Sequence, residues 1–151
     1  MKKILVLLIV IVVAAFDAYQ EQGAFNLGGL LQRFVANSEY KDNASLQQAY
    51  KNKQSDLQIQ GEGIVIKVLR DDLKGSRHQK FILRSEAGQT VLVAHNIDLA
   101  PRIEGLKKGD RVEYYGEYEW NSRGGVIHWT HKDPKGYHAS GWLKYNGRSY
   151  Q

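Results

Sequence analysis

The stretch from Arg111 to Trp120 alternates without a break between two kinds of side chain. Apolar residues and a glycine occupy one set of positions: Val112, Tyr114, Gly116, Tyr118 and Trp120. Charged residues and a tyrosine occupy the other set: Arg111, Glu113, Tyr115, Glu117 and Glu119. Because successive side chains of a β-strand point to opposite faces, this pattern predicts a strand with one buried face and one acidic, solvated face.

Four other segments have strand-like sequences, and they cover residues 57–68, 78–84, 90–95 and 126–130. In the first segment the apolar residues change parity across Gly61 and Gly63, which predicts a bend or a bulge there. The segment from Asn96 to Leu106 interrupts the strand pattern as a short helix or a wound loop. A long bent strand, a hairpin, a non-strand insert and two more strands follow the order of a five-stranded OB-type barrel.

The end of the chain carries a strong hairpin signal. Asn146 and Gly147 separate Leu143–Tyr145 from Arg148–Tyr150, and this dipeptide favours the tight turn of a two-residue hairpin loop. The sequence therefore predicts a mainly β protein, in which a small OB-like barrel is followed by a C-terminal β-hairpin.

Composition agrees with one globular domain. The chain has 151 residues, of which 42% are hydrophobic and 25% are charged. Its zero cysteines exclude disulfides, thiolate metal sites and a cysteine nucleophile. A net charge of +5 is too small an excess to indicate a nucleic-acid partner by itself.

The N-terminus has the pattern of an export signal. Lys2 and Lys3 precede an apolar run, Ile4–Phe16, which is shorter than the roughly 20 residues of a bilayer span. Small residues favour cleavage after Ala15, and an uncleaved anchor is the alternative. Either outcome predicts an exported protein, periplasmic or anchored to the outer face of the inner membrane. Contact with the membrane is expected only through residues 4–16, and only if they are retained.

Three regions follow from these patterns: a signal or anchor at 1–16, a polar lead-in at 17–56 and the β domain at 57–151. The lead-in contains two short helical patterns. One has its apolar residues between Leu27 and Phe34, and the other begins near Asp42 and continues to Tyr50.

The sequence GGVIHWTHKDP, which begins at Gly124, brings together residues with the chemistry of a site. His128 and His131 lie in it, and His138 follows closely. Neutral imidazole binds zinc, copper and nickel, and it also exchanges protons near neutral pH. In a straight strand His128 and His131 would point to opposite faces, so a shared site requires the strand to end near Thr130.

We expect Ile127 and Trp129 to face the barrel core and His128 to lie on the outer face. The predicted ligand-binding residues are His128, Trp129, His131, Asp133 and His138. Among them, His128, His131 and His138 are the predicted ligands of a divalent metal such as zinc. Glu113, Glu117 and Glu119 form an acidic face on the preceding strand, which is expected to be solvated. The alternative is that a carboxylate pair there serves as a metal or acid–base partner.

The tetrapeptide His128-Trp129-Thr130-His131, with the preceding Gly-Gly-Val-Ile and the following Asp-Pro, resembles the signature of a known group of sequences. These are short, exported bacterial proteins of unknown function that are marked by an HWTH motif. The resemblance covers roughly Leu57 to Gln151. It implies a bacterial origin and supports export, and it implies no activity.

Structural roles compete with these assignments. A histidine beside a strand tryptophan is often a hydrogen-bonded structural residue, which is the alternative for His128. His78 and His95 are expected to be surface or capping residues, because each is a single histidine at the end of a predicted strand.

Three functions from different classes remain. The first and favoured one is an exported binding module whose histidine-rich site holds a metal or a small polar ligand. The second is a metal- or histidine-dependent hydrolase of the phosphodiesterase or nuclease type, in which Arg102 or Arg123 neutralises an oxyanion. The third is an OB-type binder of oligonucleotides or cell-wall glycans. Whether the protein is an enzyme stays open at this point.

Overall fold

A computed structural model describes residues 45–151, which lie within one compact unit. The predicted signal or anchor segment and the first helical pattern of the lead-in lie outside the described residues. Within 45–151 none of the helices combines the length and the apolar character that a membrane crossing requires.

Seven strands make up the β domain. Their bounds are β1 Leu57–Val68, β2 His78–Arg84, β3 Thr90–Asn96, β4 Arg111–Glu119, β5 Val126–His128, β6 Trp142–Tyr145 and β7 Arg148–Tyr150. They pair in the order β1-β2-β3-β5-β4-β6-β7, and an additional β1–β4 pairing closes the first five into a barrel. The β3–β5 pairing is parallel and the others are antiparallel. This architecture confirms the predicted mainly β fold and its OB-like five-stranded barrel.

The barrel interior is filled from the inward positions of the strands, which bury their apolar side chains almost completely. The largest of these are Tyr114, Tyr118, Phe81, Leu83, Ile127 and Leu143. On β4 the burial alternates as the sequence predicts, so Glu113, Glu117 and Glu119 lie on the outer face. These three carboxylates therefore lie outside the barrel core.

The two glycines of β1 do not mark a change of parity, which corrects the sequence-based interpretation. Gly61 and Gly63 both occupy inward positions of a strand that pairs continuously with β4 from Leu57 to Ile64. A Cβ on Gly61 would lie 2.6 Å from the Tyr114 hydroxyl oxygen, so this glycine makes room for a core tyrosine. The register shift lies further on, between Val65 and Lys67, where β1 pairs with β2.

Residues 45–51 form a helix that packs against the barrel. This helix agrees with the second helical pattern of the lead-in. Leu46 and Ala49, three residues apart on one helix face, are buried in the same core as the strands. Trp120 donates its indole N–H to the carbonyl of Tyr50 at 3.1 Å, which fixes the helix to the end of β4. The C-terminal hairpin is confirmed, with Asn146 and Gly147 both at positive φ.

Candidate metal centre and the adjoining groove

The pairing of β4 with β5 places a histidine opposite a carboxylate. Glu117 is the direct cross-strand partner of His128, and Glu119 is the partner of Val126. Because Glu117 and Glu119 are two residues apart on β4, both lie on the same outer face as His128. The register alone therefore brings two carboxylates beside one imidazole.

The turn between these strands sets that register. Asn121 accepts hydrogen bonds from the backbone N–H groups of Arg123 and Gly125. Gly124 and Gly125 both have positive φ, where a side chain is strained. A Cβ on Gly124 would collide with the Thr90 carbonyl, and one on Gly125 with the Tyr118 ring. The Gly-Gly pair thus has a structural reason, which is close packing of the turn on β3 and β4.

The Nε2 atom of His128 lies between the two carboxylates. It is 3.3 Å from Glu117 Oε1 and 3.9 Å from Glu119 Oε1. The atom is buried, and the approach of the carboxylates does not satisfy hydrogen-bond geometry, so Nε2 has no hydrogen-bond partner. One ligand atom from each of the three residues lies within 4.8 Å of the others. We call these three side chains the Glu117–Glu119–His128 cluster; it is the one such group found in residues 45–151.

His138 engages the same Glu117 from the other side. Its Nε2 lies 2.6 Å from Glu117 Oε2, and its Nδ1 lies 2.9 Å from the Ala139 carbonyl. Both partners are acceptors, so the contacts favour the protonated ring, in which both nitrogens donate. Burial opposes this charge most strongly, but the hydrogen bonds to Glu117 and Ala139 and the neighbouring negative charge outweigh it and raise the pKa of His138.

Asp133 shapes the loop that carries His138. Its carboxylate accepts hydrogen bonds from the backbone N–H groups of Lys135, Tyr137 and His138, at 3.0, 2.7 and 2.9 Å. The bond from Lys135, followed by those from the other two residues, lowers the pKa of Asp133. Asp133 therefore acts as the organiser of the loop, since its donors are all local backbone groups.

Trp129 does not face the core, which corrects the prediction that it shares the orientation of Ile127. Ile127 is fully buried and His128 is on the outer face, as expected, but Trp129 is only partly buried. The reason is its φ of 50°, a left-handed conformation that ends β5 at His128 instead of Thr130. The indole stacks on the His138 ring, with centroids 4.2 Å apart and planes 8° apart.

His131 is separated from the cluster. It is buried, its Nδ1 donates to the Lys132 carbonyl at 2.8 Å, and its ring packs against Trp129 with centroids 5.2 Å apart. The structure thus brings His128 and His138 together around Glu117 but leaves His131 behind Trp129. Glu117, which joins them, and Glu119 came into the sequence-based prediction only as members of the acidic face of β4.

His95 is neither a surface nor a capping residue, in contrast to the expectation from sequence. It is fully buried on β3, where Nε2 donates to the Pro101 carbonyl at 3.1 Å. Nδ1 therefore carries the lone pair and accepts from the Thr130 hydroxyl at 2.8 Å. Burial is the main cause that lowers the pKa of His95 to about 4, so the ring is neutral. The hydrogen bond between His95 and Thr130 anchors the chain just after Trp129.

Two adjoining cavities of about 340 and 190 Å³ form a groove beside the cluster. They share His78, Ala94 and His128 as walls. The first cavity is also lined by Asp72, Lys80, Glu119 and Val126, and the second by Ser76, Asn96, Leu99, Trp129 and His131. We call the two together the His128 groove. Its walls on β2 and β3 and in the loop between β1 and β2 correspond to the surface on which OB-folds bind ligands.

The arginines that the hydrolase hypothesis assigned to an oxyanion are placed elsewhere. Arg102 is paired with Asp71 at 2.9 Å and with Glu104 at 3.1 Å. Neither Arg102 nor Arg123 is among the residues that line the His128 groove. Lys80, which sequence analysis did not single out, is the cation that lines it.

Residues 29–151 match the sequence model of a family described as "Protein of unknown function (DUF3465)". The chain belongs to this family. Membership confirms the resemblance to a family without an assigned function, although the HWTH motif as its marker stays a prediction. A search among functionally curated proteins found no match. The family assigns no activity, so a function has to be argued from the geometry of the site.

Proposed function

We propose that this member of the family is a small metal-binding module, in which Glu117, Glu119 and His128 hold a divalent transition metal such as zinc on the outer face of the barrel. The observation that carries the proposal is the position of His128 Nε2, buried between two carboxylates without a hydrogen bond. In the tautomer that leaves a lone pair on Nε2, this atom faces two negative groups, and a cation between the three atoms removes that repulsion.

The ligand chemistry fits such a cation. Zinc accepts imidazole nitrogen and carboxylate oxygen, each at about 2.0–2.2 Å, so two ligands of one tetrahedral ion lie about 3.3 Å apart. His128 Nε2 and Glu117 Oε1 are separated by 3.3 Å. Glu119 Oε1, at 3.9 Å, needs a shift of roughly half an ångström to reach the same separation.

His138 has a supporting role in this proposal and is not a ligand. Its hydrogen bond to Oε2 of Glu117 leaves Oε1 directed at His128. Outer partners that orient a ligating carboxylate in this way raise metal affinity, and their loss costs about 10–100-fold. The three predicted histidine ligands are thus replaced by one histidine, two glutamates and an orienting histidine.

Zinc titration of the full chain tests the proposal. The protein is purified without a histidine tag, treated with a chelator and titrated by calorimetry. We expect one zinc per chain, and a loss of affinity of about tenfold or more in His128→Ala and in Glu119→Gln. Glu113→Gln is the matched control, because Glu113 lies on the same face of β4 and outside the cluster.

The proposal fails if the wild type takes up no zinc, or if His128→Ala binds as the wild type does. Circular dichroism of each variant separates a lost ligand from a lost fold.

We propose in addition that the domain works outside the cytoplasm. The support is the run Ile4–Phe16 behind Lys2 and Lys3. In cells that express the full chain, the protein should be degraded by a protease added to spheroplasts. N-terminal sequencing of the mature protein separates the cleaved form from an anchored one. Full protection in spheroplasts, with degradation only after lysis, would contradict export.

A further inference from the structure

The two ends of the His128 groove differ in chemistry. The cavity of about 340 Å³ has charged walls, formed by Asp72, Lys80 and Glu119. The cavity of about 190 Å³ has polar walls at Ser76, Asn96 and His131, and its large apolar surfaces are those of Leu99 and Trp129. Because the cavities share His78, Ala94 and His128, one molecule can reach from the charged end to Leu99 and Trp129.

The Glu117–Glu119–His128 cluster borders the charged end. Glu119 and His128 are walls of the first cavity, whereas Glu117 lies on the side of His138. Three protein ligands leave at least one coordination position of a zinc ion for water or a ligand. Since Glu119 and His128 line the cavity, a metal held by the cluster would border the His128 groove.

A bound metal would cancel the negative charge of this end. Asp72 and Glu119 outnumber Lys80, so the walls alone repel anions. A divalent cation on the cluster offsets the charge of Glu117 and Glu119, and the ammonium of Lys80 then becomes a second point of attraction. Lys80 is 3.5 Å from Asp72, a long and partly exposed pair that an incoming anion can replace.

The second cavity has an exposed hydrophobic side chain in its wall. Leu99 is 43% exposed although it is a wall of the groove. The other two large apolar residues exposed in residues 45–151 are Leu73 and Tyr137. Neither of these two lines the groove. An exposed leucine beside a tryptophan in the wall of a groove is typical of a binding site for an apolar group.

We propose that the His128 groove binds a small phosphate ester: its phosphate coordinates the metal and pairs with Lys80, and its apolar or aromatic body lies over Leu99 and Trp129. This inference rests on the proposed metal site. It goes beyond that site by naming a ligand class and two residues, Lys80 and Leu99, that recognise the two parts of the ligand. The combined cavity size is that of a small-molecule pocket.

Calorimetry on the full chain, loaded with one equivalent of zinc, tests the ligand class. Inorganic phosphate should bind the zinc form and show no binding to the metal-free form. Phenyl phosphate should bind about tenfold more tightly than phosphate, because its ring buries apolar surface at the second end. Absence of phosphate binding to a protein that does bind zinc overturns this inference and leaves the metal proposal intact. Absence of zinc binding overturns both.

Three variants separate the two ends of the groove. Lys80→Ala should weaken phosphate and phenyl phosphate alike, without changing the zinc affinity. Leu99→Ala should remove the advantage of phenyl phosphate and leave phosphate binding unchanged. Leu73→Ala is the matched control, an exposed leucine that lines neither cavity. An equal effect of Leu99→Ala and Leu73→Ala, or tight phosphate binding without zinc, would overturn the proposed mode of binding.

Discussion

The imidazole of His138 lies flat against the indole of Trp129, with ring centroids 4.2 Å apart and planes 8° apart. The same imidazole is hydrogen-bonded to Glu117, the cross-strand partner of His128. Trp129 therefore supports the candidate site indirectly, by holding the ring that holds a carboxylate. Trp129, which the sequence predicts to bind the ligand, thus positions another residue of the site.

Replacing Trp129 tests this support. In the wild type, the His138 ring protons should be shifted upfield in the NMR spectrum, because they lie over the indole. Trp129→Ala should remove that shift and lower the free energy of unfolding, by about 0.5–1.5 kcal/mol beyond the loss of buried area. Trp142→Ala, which removes a tryptophan that contacts Tyr115, should leave the His138 signals in place. Unchanged His138 signals in Trp129→Ala would contradict the stack.

Asp133→Ala should release the loop. The backbone amides of Lys135, Tyr137 and His138 lose their acceptor, so their hydrogen exchange should accelerate selectively. Since His138 then no longer fixes Glu117, zinc affinity should fall by about tenfold. Asp133→Asn keeps one acceptor oxygen and should lie between the wild type and the alanine variant. Slow exchange at all three amides in Asp133→Ala would mean that the carboxylate does not organise the loop.

Thr130→Val should lower the free energy of unfolding, although valine and threonine have similar shapes. The hydroxyl of Thr130 is the donor to the buried Nδ1 of His95, and valine leaves this acceptor without a partner. We expect a loss of about 1–3 kcal/mol in urea unfolding. Thr130→Ser keeps the hydroxyl and should recover most of that loss. Equal stability of the valine and serine variants would show that the hydrogen bond is not required.

His95 makes stability depend on pH. Its pKa is about 4 in the folded state and about 6.5 when unfolded, so between these values the unfolded chain binds the extra proton. The free energy of unfolding should therefore fall by about 3 kcal/mol as the pH falls from 6.5 to 4. The raised pKa of His138 gives the opposite dependence on pH. Its contribution to the free energy of unfolding is complete below pH 6.5 and is lost at higher pH.

Urea unfolding of metal-free protein across this range checks the prediction. His95→Gln is the control, because glutamine can accept from Thr130 and donate to Pro101 without titrating. The variant should lose the decline between pH 6.5 and 4. The same slope in both proteins would assign the decline to other groups.

Much of the barrel can be predicted from the sequence, because its patterns are local. The alternation of β4 specifies which side chains are buried, and the Asn146-Gly147 turn specifies the last hairpin. The orientation of His95 is not readable in this way. The segment TVLVAH has apolar residues at both parities, so nothing in it shows that the histidine shares the inward face of Val91 and Val93.

The candidate site depends on features that the sequence does not encode locally. A hairpin centred on Arg123 would pair Glu117 with Trp129, whereas the actual register pairs it with His128. A slip of one residue exchanges the two faces of a strand, so the site cannot be located without the turn geometry. The left-handed conformation of Trp129 is equally hidden, since such a φ is uncommon for a large side chain.

Gly116→Ala should affect the site from inside the barrel. A Cβ at this position would lie 2.5 Å from the His128 carbonyl oxygen and 2.9 Å from Ile127 Cγ2. Because both groups belong to β5, relief of the clash requires β5 to move away from β4. Overpacking of this kind costs about 1–3 kcal/mol. The movement also separates His128 from Glu117, so zinc affinity should fall together with stability.

Gly61→Ala distinguishes the two effects. Its Cβ would meet the Tyr114 hydroxyl at 2.6 Å, a comparable clash on β1 that involves no residue of β5. Both variants should be destabilised in urea, but only Gly116→Ala should lose zinc affinity at a temperature where both are folded. If the two variants bound zinc equally, the β4–β5 spacing would not control the cluster, and the preference for glycine at position 116 would be a matter of packing alone.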